Sequence, residues 1–160
     1  MPTPSYAWFK DTSGGEIKGS VQITGREGSS EVMEFNHEVR IPTDVHTAKL
    51  TGVRMHNPVS LIKSFDAASP YLYKACCEGQ TLQEVVIKWY IIDDSGQEKE
   101  YFIHKLEKVK VNSIKAYMPN TKDPDKERYV HLEEVGLAYG KITWTYCDGQ
   151  LEFTDERAPK

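Results

Sequence analysis

At 160 residues, with 39 % hydrophobic and 28 % charged residues, the chain is long enough for one domain with its own core and too apolar to be disordered. Its formal charge of −4 argues against a nucleic-acid partner, which needs a basic surface. No run approaches a membrane span and Met1–Lys18 lacks an apolar leader core, so the expectation is cytoplasmic synthesis, no signal peptide and no membrane insertion.

In chain order, YAWF followed by DTSGGEIKGSVQITG reads as a strand, a glycine-rich turn and a second strand. Ile17, Gly19, Val21 and Ile23 share one face of that second strand. Gly25–Ser30 is a turn without the glycine spacing of a dinucleotide or phosphate loop. Glu31–Ile41 alternates: Met33, Phe35, His37, Val39 and Ile41 on one side, Glu34, Asn36, Glu38 and Arg40 on the other. One face belongs to a core and the other to water, whether bulk solvent or an aqueous lumen. Ile41–Pro58 follows as an unusually long connection carrying Leu50, Val53 and Met55. Apolar residues on such an excursion either cover their own barrel or dock on another molecule.

Asp66–Gly79 is the one convincing helix, spanning about 69–78. Ser69 is placed to cap it, Pro70 suits its first position, and Gly79 can take the left-handed conformation that closes it. Asp66 is placed to cap a short preceding turn, and Leu72, Ala75 and Cys76 form a narrow apolar stripe.

Beyond the helix, Val85, Ile87, Trp89 and Ile91 define a strand. Asp93–Gly96 turns the chain into a second strand, Glu100–Leu106, and Glu107–Met118 reads as a further half-buried one. Pro119–Arg128 is a charged, solvated loop. From Tyr129 to Tyr139 the apolar positions are odd, whereas Ile142, Trp144 and Tyr146 are even, which requires a bulge or tight turn at Gly140-Lys141. Leu151 and Phe153 add a brief apolar patch. The fold class is therefore mainly β and antiparallel: two packed sheets as a β-barrel or sandwich, with one short flanking α-helix, a long extended loop at 41–58, and a single domain over 1–160.

Chemistry is sparse. His37, His46, His56, His104 and His131 are well separated, no Cys-x-x-Cys occurs, and no nucleophile elbow is present. Glu133 and Glu134 are strand neighbours that point to opposite faces, and His37 reads as a satisfied core histidine. Cys76, Cys77 and Cys147 read as small buried or half-buried thiols, since adjacent cysteines on a helix make a strained disulfide. No catalytic, metal or cofactor residues are expected, which favours an interaction or structural protein over an enzyme.

Several stretches, in order, resemble one family. They are MPTPSY at the start, Pro42-Thr43-Asp44, Thr51-Gly52 and Arg54-Met55-His56-Asn57-Pro58. The series continues through Ser69-Pro70-Tyr71-Leu72-Tyr73-Lys74-Ala75, Gly79-Gln80-Thr81-Leu82 and Lys88-Trp89-Tyr90 to Glu134-Val135-x-Leu137-x-Tyr139-x-Lys141-Ile142-x-Trp144. The chain is similar to the haemolysin-coregulated protein (Hcp) family, which forms the tube of the bacterial type VI secretion system. The resemblance implies a β-barrel with a flanking helix, six copies closed into a homohexameric ring, and rings stacked into a hollow tube. Implied partners are further copies of the chain, contractile sheath proteins, the valine-glycine-repeat spike protein, and effector or toxin cargo. It also implies a cytoplasmic protein that is secreted through the type VI apparatus, in the plain tube form without an appended toxin domain. By similarity Glu34, Asn36 and Glu38 would face the lumen and its cargo. Thr43, Asp44, Leu50, Val53 and Met55 would lie on an inter-subunit loop, where burying three apolar side chains contributes about 4–8 kcal/mol before ordering costs. The alternative is a stand-alone secreted β-barrel acting as a binding or adaptor protein.

Overall fold

Strand β1, Ser5–Lys10, alternates inward Ala7 and Phe9 with outward Tyr6 and Trp8, and it seeds a sheet that closes on itself. These positions come from a computed structural model that describes residues 3–157; the first two residues of the opening motif and the last three of the 1–160 span lie outside the described residues. The other strands are β2 (Glu16–Ile17), β3 (Ser30–Asn36), β4 (Val39–Arg40), β5 (Met55–His56) and β6 (Val59–Ser64). After the helix α1 (Ser69–Glu78) come β7 (Thr81–Ile92), β8 (Glu98–Tyr117), β9 (Leu132–Ala138), β10 (Lys141–Tyr146) and β11 (Leu151–Glu156).

The antiparallel order β8-β7-β1-β3-β6-β9, closed by a β8–β9 pairing, makes a six-stranded barrel. Phe9, Val59, Leu61, Val85, Ile87, Leu106, Val135 and Leu137 fill it. Helix α1 lies beside β8 and buries Leu72 and Ala75 with the core, leaving Cys76 half-buried, as the apolar stripe requires. Gly79 closes the helix at φ 64°, and Asp66 accepts from the Ala68 N–H at 3.0 Å, so both terminal signals act as read.

The helix start differs in one respect. Ala68 occupies the cap position and no side chain caps the first turn. The Ser69 hydroxyl instead accepts from the Asp66 N–H at 3.0 Å and donates to Glu133 Oε1 at 2.7 Å. The Ser69 hydroxyl is thus engaged by a buried carboxylate that also pairs with Lys63, and a hydrogen bond to a buried charge is worth more than a cap.

Four further expectations change. The second strand stops at Ile17; residues 18–29 form a loop tied by Gly19 N–H to Gly28 O and Val21 N–H to Ser29 O, and Ile23 is exposed. Glu31–Ile41 is not one strand: a bulge between Val32 and Glu34 turns Val32 inward and Met33 outward, and the strand ends at Asn36. The two segments expected at 100–106 and 107–118 are one 20-residue strand, β8. The tail patch at Leu151 and Phe153 belongs to a full strand, β11, paired with β10.

The parity flip at Gly140 has a structural cause. β9 and β10 run consecutively along β8, β10 facing Phe102–Glu107 and β9 facing Lys110–Tyr117. Between them Lys108 takes φ 55°, and the Gly140 N–H reaches the carbonyls of Glu107 (3.0 Å) and Lys108 (3.1 Å). Past this step β10 and β11 leave the barrel as a wing.

Candidate interaction surfaces

The long connection is an ordered arm rather than an open loop. β4 pairs with β5 through Val39–His56 and Arg40–Met55, and the ribbon continues outward through a Thr43–Leu50 bridge. The Thr51 N–H donates to Pro42 O and the Asp44 N–H to Lys49 O, each at 2.8 Å. At the tip, the Asp44 carboxylate accepts from the N–H groups of His46 (2.7 Å) and Thr47 (3.1 Å), and these bonds hold it below the usual carboxylate range. Thr43 and Asp44 therefore shape the arm, while Val45, Leu50, Val53 and Met55 present 91 %, 65 %, 80 % and 43 % of their surface to solvent. Apolar residues this exposed on a hydrogen-bonded ribbon make the arm a candidate interaction surface. Val45 shares their exposure; its position at the tip of the ribbon became visible only with the pairing.

Beside the arm's base, the wing continues the inner face of the barrel into the open. Trp144 stacks on Phe153 at 5.9 Å and 16°, and with Val39, Arg40, Ile41, Arg54 and Asp155 they line a shallow depression of about 600 Å³. Val39 and Ile41, expected on a core face, are exposed because the strand ends at Asn36, and Leu151 and Phe153 are exposed on β11.

The arm is tied to the barrel by a polar network. Tyr139 Oη lies 2.7 Å from His37 Nε2 and 2.6 Å from His56 Nδ1. His56 Nε2 is 2.7 Å from Asp155 Oδ2, which also accepts from Arg54 Nε at 2.6 Å. The Arg54 bond comes first among the influences that hold the Asp155 carboxyl below its ordinary range. Arg157 donates to the His56 carbonyl at 2.7 Å and lies 5.2 Å over the Tyr139 ring. Burial pushes the Tyr139 phenol up to about 12. His37 is thus half-buried and satisfied, as read.

Deeper in, Phe35, Trp89 and Phe102 pack around His104, whose Nδ1 accepts from Trp89 Nε1 at 2.9 Å. Burial, followed by the charge of His37, lowers His104 to about 4. Three histidines far apart in sequence thus converge, His37 and His104 with ring centroids 6.4 Å apart. They are held by hydroxyl, indole and carboxylate partners, and among the described residues no group of three or more His, Cys, Asp or Glu is arranged to hold a metal ion.

On the opposite outer wall, Glu34 and Asn36 of β3 are exposed and begin cross-strand rows: Glu34–Ile62–Glu134–Lys115 and Asn36–Ser60–Gly136–Ser113. Ser60 Oγ donates to Glu134 Oε1 at 3.0 Å, and Asn36 Nδ2 to Glu34 Oε1 at 3.4 Å. Glu38 is exposed but lies outside these rows, in the break before β4.

All three cysteines are free; Cys77 is exposed, while Cys76 and Cys147 are half-buried. Glu133, by contrast, is fully buried beside Lys63, a pairing that adjacent glutamates in the sequence did not announce.

A family model described as "Type VI secretion system effector, Hcp" matches residues 6–146. The chain belongs to the Hcp family. Its likeness to the "Major exported protein" of Pseudomonas aeruginosa is 39 % identity, covering 99 % of this chain and 98 % of that protein. The structure of Hcp1 from the E. coli EAEC 042 pathovar is 49 % identical with a TM-score of 0.86, covering 97 % of this chain and 99 % of that one. Secreted protein Hcp3 from Pseudomonas aeruginosa is 34 % identical with a TM-score of 0.79, covering 99 % and 100 %. The chain is therefore a type VI secretion protein with the Hcp barrel.

Proposed function

We propose that this Hcp chain is the tube subunit of a type VI secretion system, closing as homohexameric rings that stack into a hollow conduit. The observation that carries the reading is that one chain bears two different unpartnered apolar surfaces. They are the arm with Val45, Leu50 and Val53, and the wing with Trp144, Leu151 and Phe153. Unlike surfaces on one chain support head-to-tail contacts between copies, which close into rings when the rotation permits. The polar rows at Glu34, Asn36, Ser60 and Glu134 suit a lumen wall that holds cargo and releases it, because buried apolar anchors are absent from them.

In this role the partners are neighbouring copies, contractile sheath proteins, a valine-glycine-repeat spike protein and effector cargo. The protein leaves the cytoplasm through the apparatus itself, and its part is structural rather than enzymatic. Thr43 and Asp44 hold the arm's shape while Leu50, Val53 and Met55 make its contacts. Size-exclusion chromatography with light scattering tests the reading. The unmodified chain is expected to run as a six-fold ring, and Leu50→Asp to run smaller with an unchanged circular dichroism spectrum. A monomer at every concentration would favour the stand-alone barrel instead, and unaltered rings in Leu50→Asp would remove Leu50 from the interface.

A further inference from the structure

Both feet of the arm rest on one hydroxyl. His37 ends the outbound connection from β3, His56 lies on the inbound strand β5, and Tyr139 sits between them at the β9–β10 step. Hydrogen counting restricts the protonation states this arrangement accepts. Asp155 is an acceptor, so His56 carries its proton on Nε2; its Nδ1 then accepts from the Tyr139 hydroxyl. The Tyr139 oxygen in turn accepts from His37 Nε2–H, so each of the three contacts from Asp155 to His37 has one donor and one acceptor.

One added proton fits. On His37 Nδ1 it leaves the bonds unchanged. On His56 Nδ1 it reverses the tyrosine, which then donates to His37 Nε2. Two added protons do not fit. Both histidines would then donate to one phenol oxygen, its own hydrogen would lose both acceptors, and two cations would flank a buried ring. We propose that His37, Tyr139 and His56 form an acid-released latch, which holds the base of the arm on the barrel until both histidines are protonated and then frees it.

The surroundings set the direction. Asp155 of β11 lies 2.7 Å from His56 Nε2. Arg54 on the arm shares that carboxylate, Arg157 stands over the Tyr139 ring, His104 of β8 faces His37, and the neighbouring Glu38 is exposed to solvent. Lys108 and Glu156 pair with each other nearby and cancel. Burial, and then the charge of His56, push the His37 imidazole below its ordinary value, so the second proton arrives only in acid. The latch acts within one chain and does not depend on ring formation.

Backbone amide exchange on the full chain, corrected for intrinsic rates, tests it. The arm amides of Asp44, Ala48, Thr51 and Asn57 are hydrogen-bonded and report on the ribbon and its base. Their protection is expected to fall about tenfold or more between about pH 7.5 and about pH 5, while amides of β7 and β8 stay protected. Tyr139→Phe keeps the ring but has no hydroxyl to share, so its arm should exchange fast at both pH values. His37→Gln keeps a donor at the Nε2 position without a second charge, and its arm should stay protected in acid. Equal arm protection in the unmodified chain at both pH values would overturn the latch. So would simultaneous loss in β7 and β8, which is global acid unfolding, or a pH dependence that survives in His37→Gln.

Discussion

Lys63→Met tests the buried charge cluster most directly. Lys63 and Glu133 are both fully buried, and the Lys63 ammonium also reaches Asp66 Oδ1 at 2.8 Å, Ser69 Oγ at 3.2 Å and the Ser64 carbonyl at 3.2 Å. Two carboxylates thus face one ammonium, and Glu133 Oε2 has no partner of its own. Removing the cation leaves Glu133 buried without compensation, at a cost of about 3–5 kcal/mol. For a domain of this size that lowers the melting temperature by roughly 6–20 °C. Glu133→Gln should be milder, about 1–2 kcal/mol, because Lys63 keeps Asp66 and only an amide is left unsatisfied. In Lys63→Met with Glu133→Leu, most of the loss should return, since Ser30 Oγ (2.6 Å) and the Ala68 N–H (3.0 Å) still hold Asp66. Urea unfolding at fixed protein concentration provides the measurement. The reasoning is refuted if Lys63→Met costs under about 1 kcal/mol or the double variant is no more stable than the single one.

Two other outcomes are expected. Above about pH 6.5 the His104 contribution to stability is fully present, and it declines as pH falls toward about 4, because the unfolded imidazole binds its proton more readily than the folded one. The decline attributable to this residue is on the order of 2–3 kcal/mol; unfolding of His104→Gln should lack it, and an identical pH profile would assign the acid sensitivity elsewhere. Gly19→Ala places a methyl group against the Ser29 carbonyl, a backbone atom that side-chain rotation cannot move. A loss of about 1–3 kcal/mol in chemical denaturation is expected, and a neutral result would mean that the 18–29 loop shifts freely.

What was legible in the sequence was local. The alternation of Val85, Ile87, Trp89 and Ile91 located β7, the YAWF run located β1, and the Pro70 and Gly79 signals bounded the helix, because strand alternation and helix termini are written in neighbouring residues. The Gly140 parity flip was also local, and the step against Lys108 accounts for it. Where alternation failed, a partner strand had intervened. The bulge at Met33 is defined by pairing between β3 and β6, and β11 exists because β10 offers Leu151 and Phe153 an edge. Of the arm residues, Leu50, Val53 and Met55 stood out as apolar side chains on a long connection, with docking and self-covering left open, whereas Thr43 and Asp44 came with the resemblance.

The polar clusters were hidden for a related reason, and they divide by depth. Lys63 and Glu133 stand on adjacent strands at directly paired positions, which no spacing in the sequence encodes. Lys63 and Glu133 are fully enclosed, and with Asp66 and Ser69 they tie β6 and β9 to the start of α1. His37, Tyr139, His56 and Asp155 join four separate segments at the barrel's edge, where the arm departs. That network has the arm on one side and the barrel sheet on the other. If the barrel's stability rests on the first cluster and the arm's position on the second, the two separate experimentally. Lys63→Met should lower unfolding stability without altering the pH dependence of arm exchange, and Tyr139→Phe should alter arm exchange at a small cost in stability. A common response of both measurements to both substitutions would mean that arm and barrel unfold as one unit, and that the latch has no independent motion to control.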